Sequence, residues 1–233
     1  MEMYNRDYLT DQSSTYTQES SQANLMSFLK ATYQLFAGSL LASTAGAYIG
    51  LSIVHLLMGP VKWVLFAVEL ALIFFVIPRV KHTPGINLAV LFAFTFISGL
   101  TIAPLLASIF AMADGAAIVG QAFLMTAVAF GGISMFAMTT KRDFSSIGKF
   151  LIIALIIMIV AGISNIFIQS SMMQLMIASA GALLFSAFIL YDTQNIIKGN
   201  YDSPVEAALS LYLDFFNLFI SLLQILGITK SND

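Results

Sequence analysis

The stretch that decides the fold is "KFLIIALIIMIVAGISNIFIQSSMMQLMIASAGALLFSAFIL", residues 149–190, in which Lys149 is the only charged side chain. As one helix it would be about 60 Å long at 1.5 Å per residue, roughly twice the ~30 Å hydrocarbon core of a bilayer. We therefore expect a break at 169–173, although it is the weakest break in the chain and one long helix is the main alternative. The stretch predicts two membrane-spanning helices joined by a tight turn.

The whole chain shares this apolar character. Of its 233 residues, 59% are hydrophobic and only 9% are charged, against about 25% charged residues in a typical soluble domain. A soluble protein of this composition would have too few polar residues to cover its surface, so the lipid bilayer is the natural solvent. The net charge of −2 argues against a nucleic-acid partner, and the absence of cysteine excludes disulfides and thiolate metal sites.

Seven segments are long and apolar enough to span a membrane, which takes about 20 residues each. The breaks between them contain turn residues such as Gly59-Pro60 and Thr83-Pro84-Gly85, and the short loops make successive helices antiparallel neighbours. The predicted fold class is all-α, a bundle of seven transmembrane helices within residues 29–229. The segments are approximately 31–57, 61–80, 86–112, 116–139, 147–169, 172–197 and 205–228.

The polar N-terminus and the basic residues predict the orientation. Residues 1–28 lack the apolar core of a signal peptide and are interpreted as a short flexible cytoplasmic tail. With the N-terminus inside, the inner segments hold eight basic residues and the outer segments hold only Lys62 and Lys230, which places the C-terminus outside. The eight inner residues are Arg6, Lys30, Arg79, Lys81, Lys141, Arg142, Lys149 and Lys198.

Asp214 is a carboxylate about nine residues into the seventh segment. It belongs to a set of polar residues spaced by three and four, which places them on one face of a helix. Such a stripe faces the bundle interior or a water-filled path rather than lipid; a hydrogen-bond seam between helices, without a transport role, is the alternative. The stripe comprises Ser210, Asp214, Asn217, Ser221 and Gln224.

Asp192 lies near the C-terminal end of the sixth segment, where the helix dipole disfavours a carboxylate. A solvated position close to the boundary is the alternative. The sixth and seventh segments are antiparallel, so Asp192 and Asp214 can approach each other if both point inward. Two carboxylates in one site cannot both ionise cheaply, and such a pair titrates as a unit with a shared proton. The pair would be a pH sensor near neutrality.

Two further ionisable residues lie in the second segment. Glu69 is near its middle, where a carboxyl group is either neutral or paired, so a function and a buried hydrogen bond are both open. Arg79 follows Pro78 at the predicted cytoplasmic end, at a level from which it can reach Asp192. A side chain that snorkels to the headgroups is the alternative for Arg79.

Several of these stretches resemble the bacterial branch of the Bax-inhibitor-like transmembrane family, TMBIM. They are "LYD" at 190–192, "SLYLDFFNLF" at 210–219, "FISGLT" at 96–101 and "GISNIF" at 162–167. Seven helices with an inward N-terminus fit the same family. The resemblance covers roughly residues 28–228, and the block in the seventh segment is its most specific part.

The resemblance implies a central last helix wrapped by the other six, in a multi-pass protein of the bacterial inner membrane. It also implies a pH-sensitive calcium leak governed by a di-aspartyl sensor, and Asp192 and Asp214 match that pair. Family members carry an arginine at the end of helix two that latches onto the helix-six aspartate, and Arg79 is its closest match. Glu69 matches an acidic position of the family in helix two.

The first functional hypothesis is a proton-gated Ca²⁺ channel or leak. Asp192 and Asp214, with Glu69, Asn217 and backbone carbonyls, would supply oxygen ligands along a weak, multi-site path. Ca²⁺ is then the transported ion, held weakly at the two aspartates, and no tightly bound cofactor is expected. Lipid, Ca²⁺ and protons are the expected partners.

Other functions stay open. Some bacterial relatives modulate a membrane-bound AAA protease. The resemblance therefore gives a second hypothesis, in which this protein is a regulatory partner of such a protease and the polar tail contacts it. An intramembrane aspartyl protease needs Gly-x-Gly-Asp at its second aspartate, whereas this chain has Tyr212-Leu213-Asp214, and we expect no enzyme. A secondary transporter is a further alternative, although no inverted repeat is visible.

Overall fold

A computed structural model describes the backbone of residues 2–231 and the side chains of residues 22–230. Within these residues the protein is all-α, and seven helical runs are long and apolar enough to cross a membrane. Six predicted segments agree with the observed spans to within about three residues. The helices are α1 Glu2–Ser52, α2 Val54–Leu57, α3 Val61–Ala71, α4 Ile77–Val80, α5 Ile86–Phe110, α6 Gly115–Thr139, α7 Gly148–Ile168, α8 Ser171–Ile197 and α9 Pro204–Ser231.

The first segment differs most from its prediction. Helix α1 begins at Glu2, so the segment predicted as a separate tail is continuous with the first span, which starts at Gln22. The helix ends at Ser52, and the remaining predicted residues form the short α2. The side chains of residues 1–21 lie outside the described part of the chain, and their flexibility stays a prediction.

The second span, Val61–Val80, is not a regular α-helix. A π-turn at Leu72–Val76 joins α3 to α4. Pro78 follows it, and a proline lacks the backbone N–H and clashes with the carbonyl four residues earlier, so local rearrangement of the helix is expected there. The extra residue of a π-turn rotates the side chains that follow by about 100° relative to an unbroken helix.

The break between the fifth and sixth predicted segments is confirmed. Helix α7 ends at Ile168, and Gln169 adopts the left-handed conformation with φ of 53°. The Ser170 hydroxyl then accepts a hydrogen bond from the amide of Met173 and caps the start of α8. The 42-residue apolar stretch is therefore two antiparallel spans.

Helix α9 is the centre of the bundle. Within its apolar window 44% of the residues are buried, against 6% in the second span and in the span that contains α7. Its close backbone approaches are to α1, α5, α6 and α8, whereas α7 packs on α8 and the second span packs on α5. The expected central position of the last helix is confirmed, with four rather than six helices in close backbone contact.

Helices α1 and α5 approach each other at glycines. A Cβ atom on Gly46 would lie 2.0 Å from the carbonyl oxygen of Phe96, and one on Gly99 would lie 2.0 Å from that of Ser43. Small residues at these positions let the two backbones touch, as in other helix pairs within membranes.

The outer faces of the bundle are apolar. Helix α3 has no buried residue, and α7 buries only Gly148 and Leu151. Phe150 and Phe167 of α7 are 70% and 82% exposed. Such a surface would be a liability in water and matches the acyl chains of a bilayer.

Candidate functional site: a buried aspartate pair

The turn between α8 and α9 reverses the chain within a few residues. The amide of Asn200 donates to the carbonyl of Asn195, and Gly199 has a φ of 71°, which together form a Schellman motif at the end of α8. Glycine adopts this conformation without the steric penalty that a Cβ imposes. The Ser203 hydroxyl then accepts from the amide of Val205 at the start of α9.

This reversal brings Asp192 of α8 against Asp214 of α9. The two carboxyl groups lie close enough to interact directly, and the residues are only 8% and 4% exposed. The solvated alternative for Asp192 is therefore wrong. A hydrogen bond between two carboxyl groups needs a proton on one of them, because an ionised carboxylate only accepts. Oδ2 of Asp214 has no hydrogen-bond partner among the described residues and is an open acceptor in the interior.

Tyr201 covers the pair on the side of the α8–α9 loop. Its phenol lies close to Asp192 and Ser210, and the Asn195 side chain is also close to Asp192. Burial raises the pKa of the Tyr201 phenol far above its usual range, and the nearby Asp192 charge raises it further. The phenol therefore stays protonated and can act as a donor to Asp192.

Two further residues of the polar stripe, Asn217 and Ser221, do not join the pair. The Asn217 amide donates to the carbonyl of Leu213 at 2.8 Å, and the Ser221 hydroxyl donates to the carbonyl of Asn217 at 2.8 Å. These bonds stay within α9. Ser221 packs against α8, where a Cβ on Gly181 would lie 2.7 Å from its Oγ. Asn217, predicted as part of an ion path, thus hydrogen-bonds within its own helix.

Glu69 belongs to a second polar cluster. Its carboxylate accepts from the Thr101 hydroxyl of α5 at 3.1 Å, and Ser98 of the same helix is nearby. Tyr212 lies close to Ser98, and its hydroxyl donates to Ser43 of α1 at 3.0 Å. Tyr212 is two residues from Asp214 and, at 100° per residue, projects from nearly the opposite side of α9. The structure therefore does not bring Glu69 to the aspartate pair.

Arg79 does not contact Asp192. It is exposed, and its guanidinium donates to the backbone carbonyl of Phe75 in its own span. The basic residue that reaches the α8–α9 region is Lys81, at 2.7 Å from Asp202 and 3.6 Å from Glu206. The π-turn at Leu72–Val76 changes which of the side chains after it face the bundle.

The comparison with known proteins decides the family. A sequence model of the family described as "Inhibitor of apoptosis-promoting Bax1" matches residues 25–231. The chain belongs to the Bax inhibitor family. This family member is 50% identical to an uncharacterized protein of Campylobacter jejuni over 229 residues, 97% of each chain. The resemblance indicated by the sequence is confirmed.

More distant relatives match the same membrane domain. An uncharacterized membrane protein of Vibrio cholerae is 38% identical to this Bax inhibitor family member, over 88% of this chain and 91% of its own. Protein lifeguard 4 of Mus musculus is 35% identical, over 86% of this chain and 84% of its own. The similarity therefore extends across most of the domain in bacterial and mammalian proteins.

Proposed function

We propose that this protein is a pH-sensitive Ca²⁺ leak channel in which Asp192 and Asp214 form the proton sensor. The observation that carries the proposal is the contact between two buried carboxyl groups on adjacent helices. Among residues 22–230 neither carboxyl group forms an ion pair. Ionisable groups inside a membrane domain are costly, and a function is their usual reason.

The shared proton couples pH to the packing of α8 against α9. Two ionised carboxylates about 4 Å apart repel by about 4 kcal/mol at an effective dielectric constant of 20. Loss of the proton therefore favours either separation of the two side chains or a cation between them. Protons and Ca²⁺ compete for the same oxygens, so acidification weakens Ca²⁺ binding.

The chemistry of the site suits a conducted ion better than a stored one. Ca²⁺ prefers six to eight oxygen ligands. Asp192 and Asp214 offer carboxyl oxygens, including the open Oδ2 of Asp214, and the Tyr201 hydroxyl is adjacent. No group of three or more His, Cys, Asp or Glu side chains that could hold a metal occurs among the described residues. Such a weak site lets an ion enter and leave.

Glu69, Asn217 and Arg79 have different places in this proposal. Glu69 and Asn217 would line the ion path only at positions away from the pair, since their present bonds lie elsewhere. Arg79 would act as a latch only after a rearrangement of the second span. We further propose that the protein lies in the bacterial inner membrane with its N-terminus in the cytoplasm, as the distribution of Lys and Arg predicts.

Ca²⁺ flux into liposomes tests the function. The purified protein is reconstituted with a trapped Ca²⁺ indicator, and flux is recorded over a series of pH values. Wild-type protein should give flux above that of protein-free liposomes, and the flux should fall on acidification. The double variant Asp192→Asn/Asp214→Asn should lose the pH dependence. Flux equal to that of protein-free liposomes at every pH would refute the channel, and an unchanged pH response in the double variant would refute the sensor.

The alternative role, regulation of a membrane AAA protease, depends on the polar tail, residues 1–28. The side chains of residues 1–21 lie outside the described residues, and no other observation favours the role. It stays a prediction, which deletion of residues 1–25 followed by measurement of the turnover of protease substrates would test.

A further inference from the structure

A second site lies at the end of the bundle where α6 and α8 end and α7 and α9 begin. A cavity of about 170 Å³ opens there between the C-terminal ends of α6 and α8 and the α6–α7 loop. One buried water needs only about 10–15 Å³, so this cavity admits a chemical group of several heavy atoms. The aspartate pair does not line it.

The charge of the cavity favours an anion. Lys141, Arg142 and Lys198 line it, with Asp143 as the one acidic residue. Asp143 forms an ion pair with Lys198, whose ammonium group holds the pKa of Asp143 well below its usual range. Lys141 and Arg142 are exposed and form no ion pair within residues 22–230. The cavity therefore keeps two cations without a partner carboxylate.

The basic loop is fixed by a buried side chain. Gln194 of α8, 6% exposed, donates to the carbonyl of Arg142 at 2.8 Å and accepts from the amide of Phe144 at 2.9 Å. Its amide group thus ties the α6–α7 loop to α8. A loop held in this way presents its cations without a further entropic cost of ordering the backbone.

The cavity also borders the apolar surface of the bundle. Met138 and Ile197 line it beside the basic residues. Met138 is 49% exposed, and on the same turn of α6 Phe136 is 51% exposed. A ligand held here would therefore have its charged part among cations and its remainder against lipid-facing side chains.

We propose that this cavity binds the headgroup phosphate of an anionic phospholipid, with Lys141 and Arg142 as the cationic contacts and Met138 and Ile197 against the start of the acyl chains. Basic pockets between helices at a membrane surface suit such headgroups. A free phosphate monoester carries more negative charge than the phosphodiester of a lipid but gains nothing from the apolar side of the cavity.

Lipid titration followed by native mass spectrometry tests the proposal. The full chain in detergent is titrated with dioleoylphosphatidylglycerol, with dioleoylphosphatidylcholine, and with glycerol 3-phosphate as the soluble phosphate. Each basic residue near the surface contributes about 1 kcal/mol to binding of an anionic lipid, which is about fivefold in affinity. The variant Lys141→Gln/Arg142→Gln should therefore bind phosphatidylglycerol about 25-fold more weakly than wild type, and phosphatidylcholine should bind weakly to both.

The control variant is Lys62→Gln/Lys230→Gln, which removes two cations at the opposite membrane end and so changes the net charge equally. It should bind phosphatidylglycerol within about twofold of wild type. Equal phosphatidylglycerol affinity in the loop variant and wild type, or equal losses in both variants, would overturn the proposal. Saturation by glycerol 3-phosphate at the concentrations that suffice for phosphatidylglycerol would overturn the lipid assignment.

If the double loop variant does not fold, Lys141→Gln alone should weaken the binding of phosphatidylglycerol about fivefold. An unchanged affinity in this single variant would count equally against the site.

Discussion

Substitution of either aspartate of the pair by asparagine should abolish the pH response of Ca²⁺ flux, and substitution of both should remove no more than one does. The carboxyl groups of Asp192 and Asp214 lie side by side in the interior, and under the proposed function a single proton serves both. Substitutions at distant sites add to within about 0.3–0.5 kcal/mol, whereas residues in contact deviate from additivity. The losses of pH response caused by the two substitutions should therefore not add at all.

The size of the effect follows from one exchangeable proton. Displacement of one proton by Ca²⁺ allows at most about a tenfold change in apparent Ca²⁺ affinity per pH unit. Wild-type flux at sub-saturating Ca²⁺ should therefore fall by up to about tenfold per pH unit on the acidic side of the transition. Each variant should vary by less than about twofold over the same range. The asparagine amide can donate to the remaining carboxylate, so we expect the free energy of unfolding to change by no more than about 1 kcal/mol.

The assay compares wild type, both single variants and the double variant in liposomes of one batch, with the same pH inside and outside. Asp114→Asn is the matched control, since Asp114 is an exposed acidic residue at the other end of the bundle. It should behave as wild type. Single variants that each keep part of the pH response, with losses that add in the double variant, would show two independent groups and refute the shared proton.

Two further predictions concern the surroundings of the pair. Gly199→Ala should lower the free energy of unfolding by about 1–2 kcal/mol, because Gly199 has a φ of 71° that disfavours a Cβ atom. The control Gly120→Ala, at a position with open space around it, should leave the free energy of unfolding unchanged or raise it by up to about 1 kcal/mol. Denaturant unfolding in micelles measures both variants, and equal effects would contradict the role of the Gly199 backbone conformation. Lys81→Gln should speed hydrogen exchange at the start of α5 and in the α8–α9 loop, and Arg79→Gln should not. The hydrogen bond between Lys81 and Asp202 lowers the pKa of Asp202 and raises the pKa of Lys81. The stabilisation from this bond is therefore complete from about pH 4 to about pH 10. It is lost as pH falls through the folded pKa of Asp202 or rises through the folded pKa of Lys81. An exchange difference that persisted at a pH low enough to protonate Asp202 in the folded protein would argue against this ion pair as its cause.

Much of the fold could be predicted because the bilayer imposes lengths on the spans. Gln169 and Ser170 interrupt an apolar run too long for one span, and the structure breaks the helix at these residues. The facing of Asp192 and Asp214 was predictable from the helical spacing of the stripe, the short loop and the family resemblance. Each of these signals is local or periodic in sequence.

The parts that could not be predicted depend on neighbours that periodicity does not identify. Tyr201 lies in a loop, where no repeat indicates that its phenol turns back onto Asp192. The position of Glu69 in the sequence indicates the face of the helix on which it lies. It does not identify the hydrogen-bond partner of the carboxylate, which is Thr101 on α5. Lys81 rather than Arg79 contacts the α8–α9 region, and the π-turn before them shifts the count of residues around the helix. The bacterial relatives and the mouse protein confirm the family but do not assign these contacts.

The proposed function requires that Asp192 and Asp214 share one titratable proton that Ca²⁺ displaces. Infrared difference spectroscopy on the reconstituted protein measures this directly, because a protonated carboxyl group absorbs separately from a carboxylate. We predict one protonated-carboxyl band near neutral pH in the wild type, which is absent at that pH in Asp192→Asn and in Asp214→Asn and decreases when Ca²⁺ is added at constant pH. A band that survives in either single variant, or that Ca²⁺ leaves unchanged, would contradict the claim.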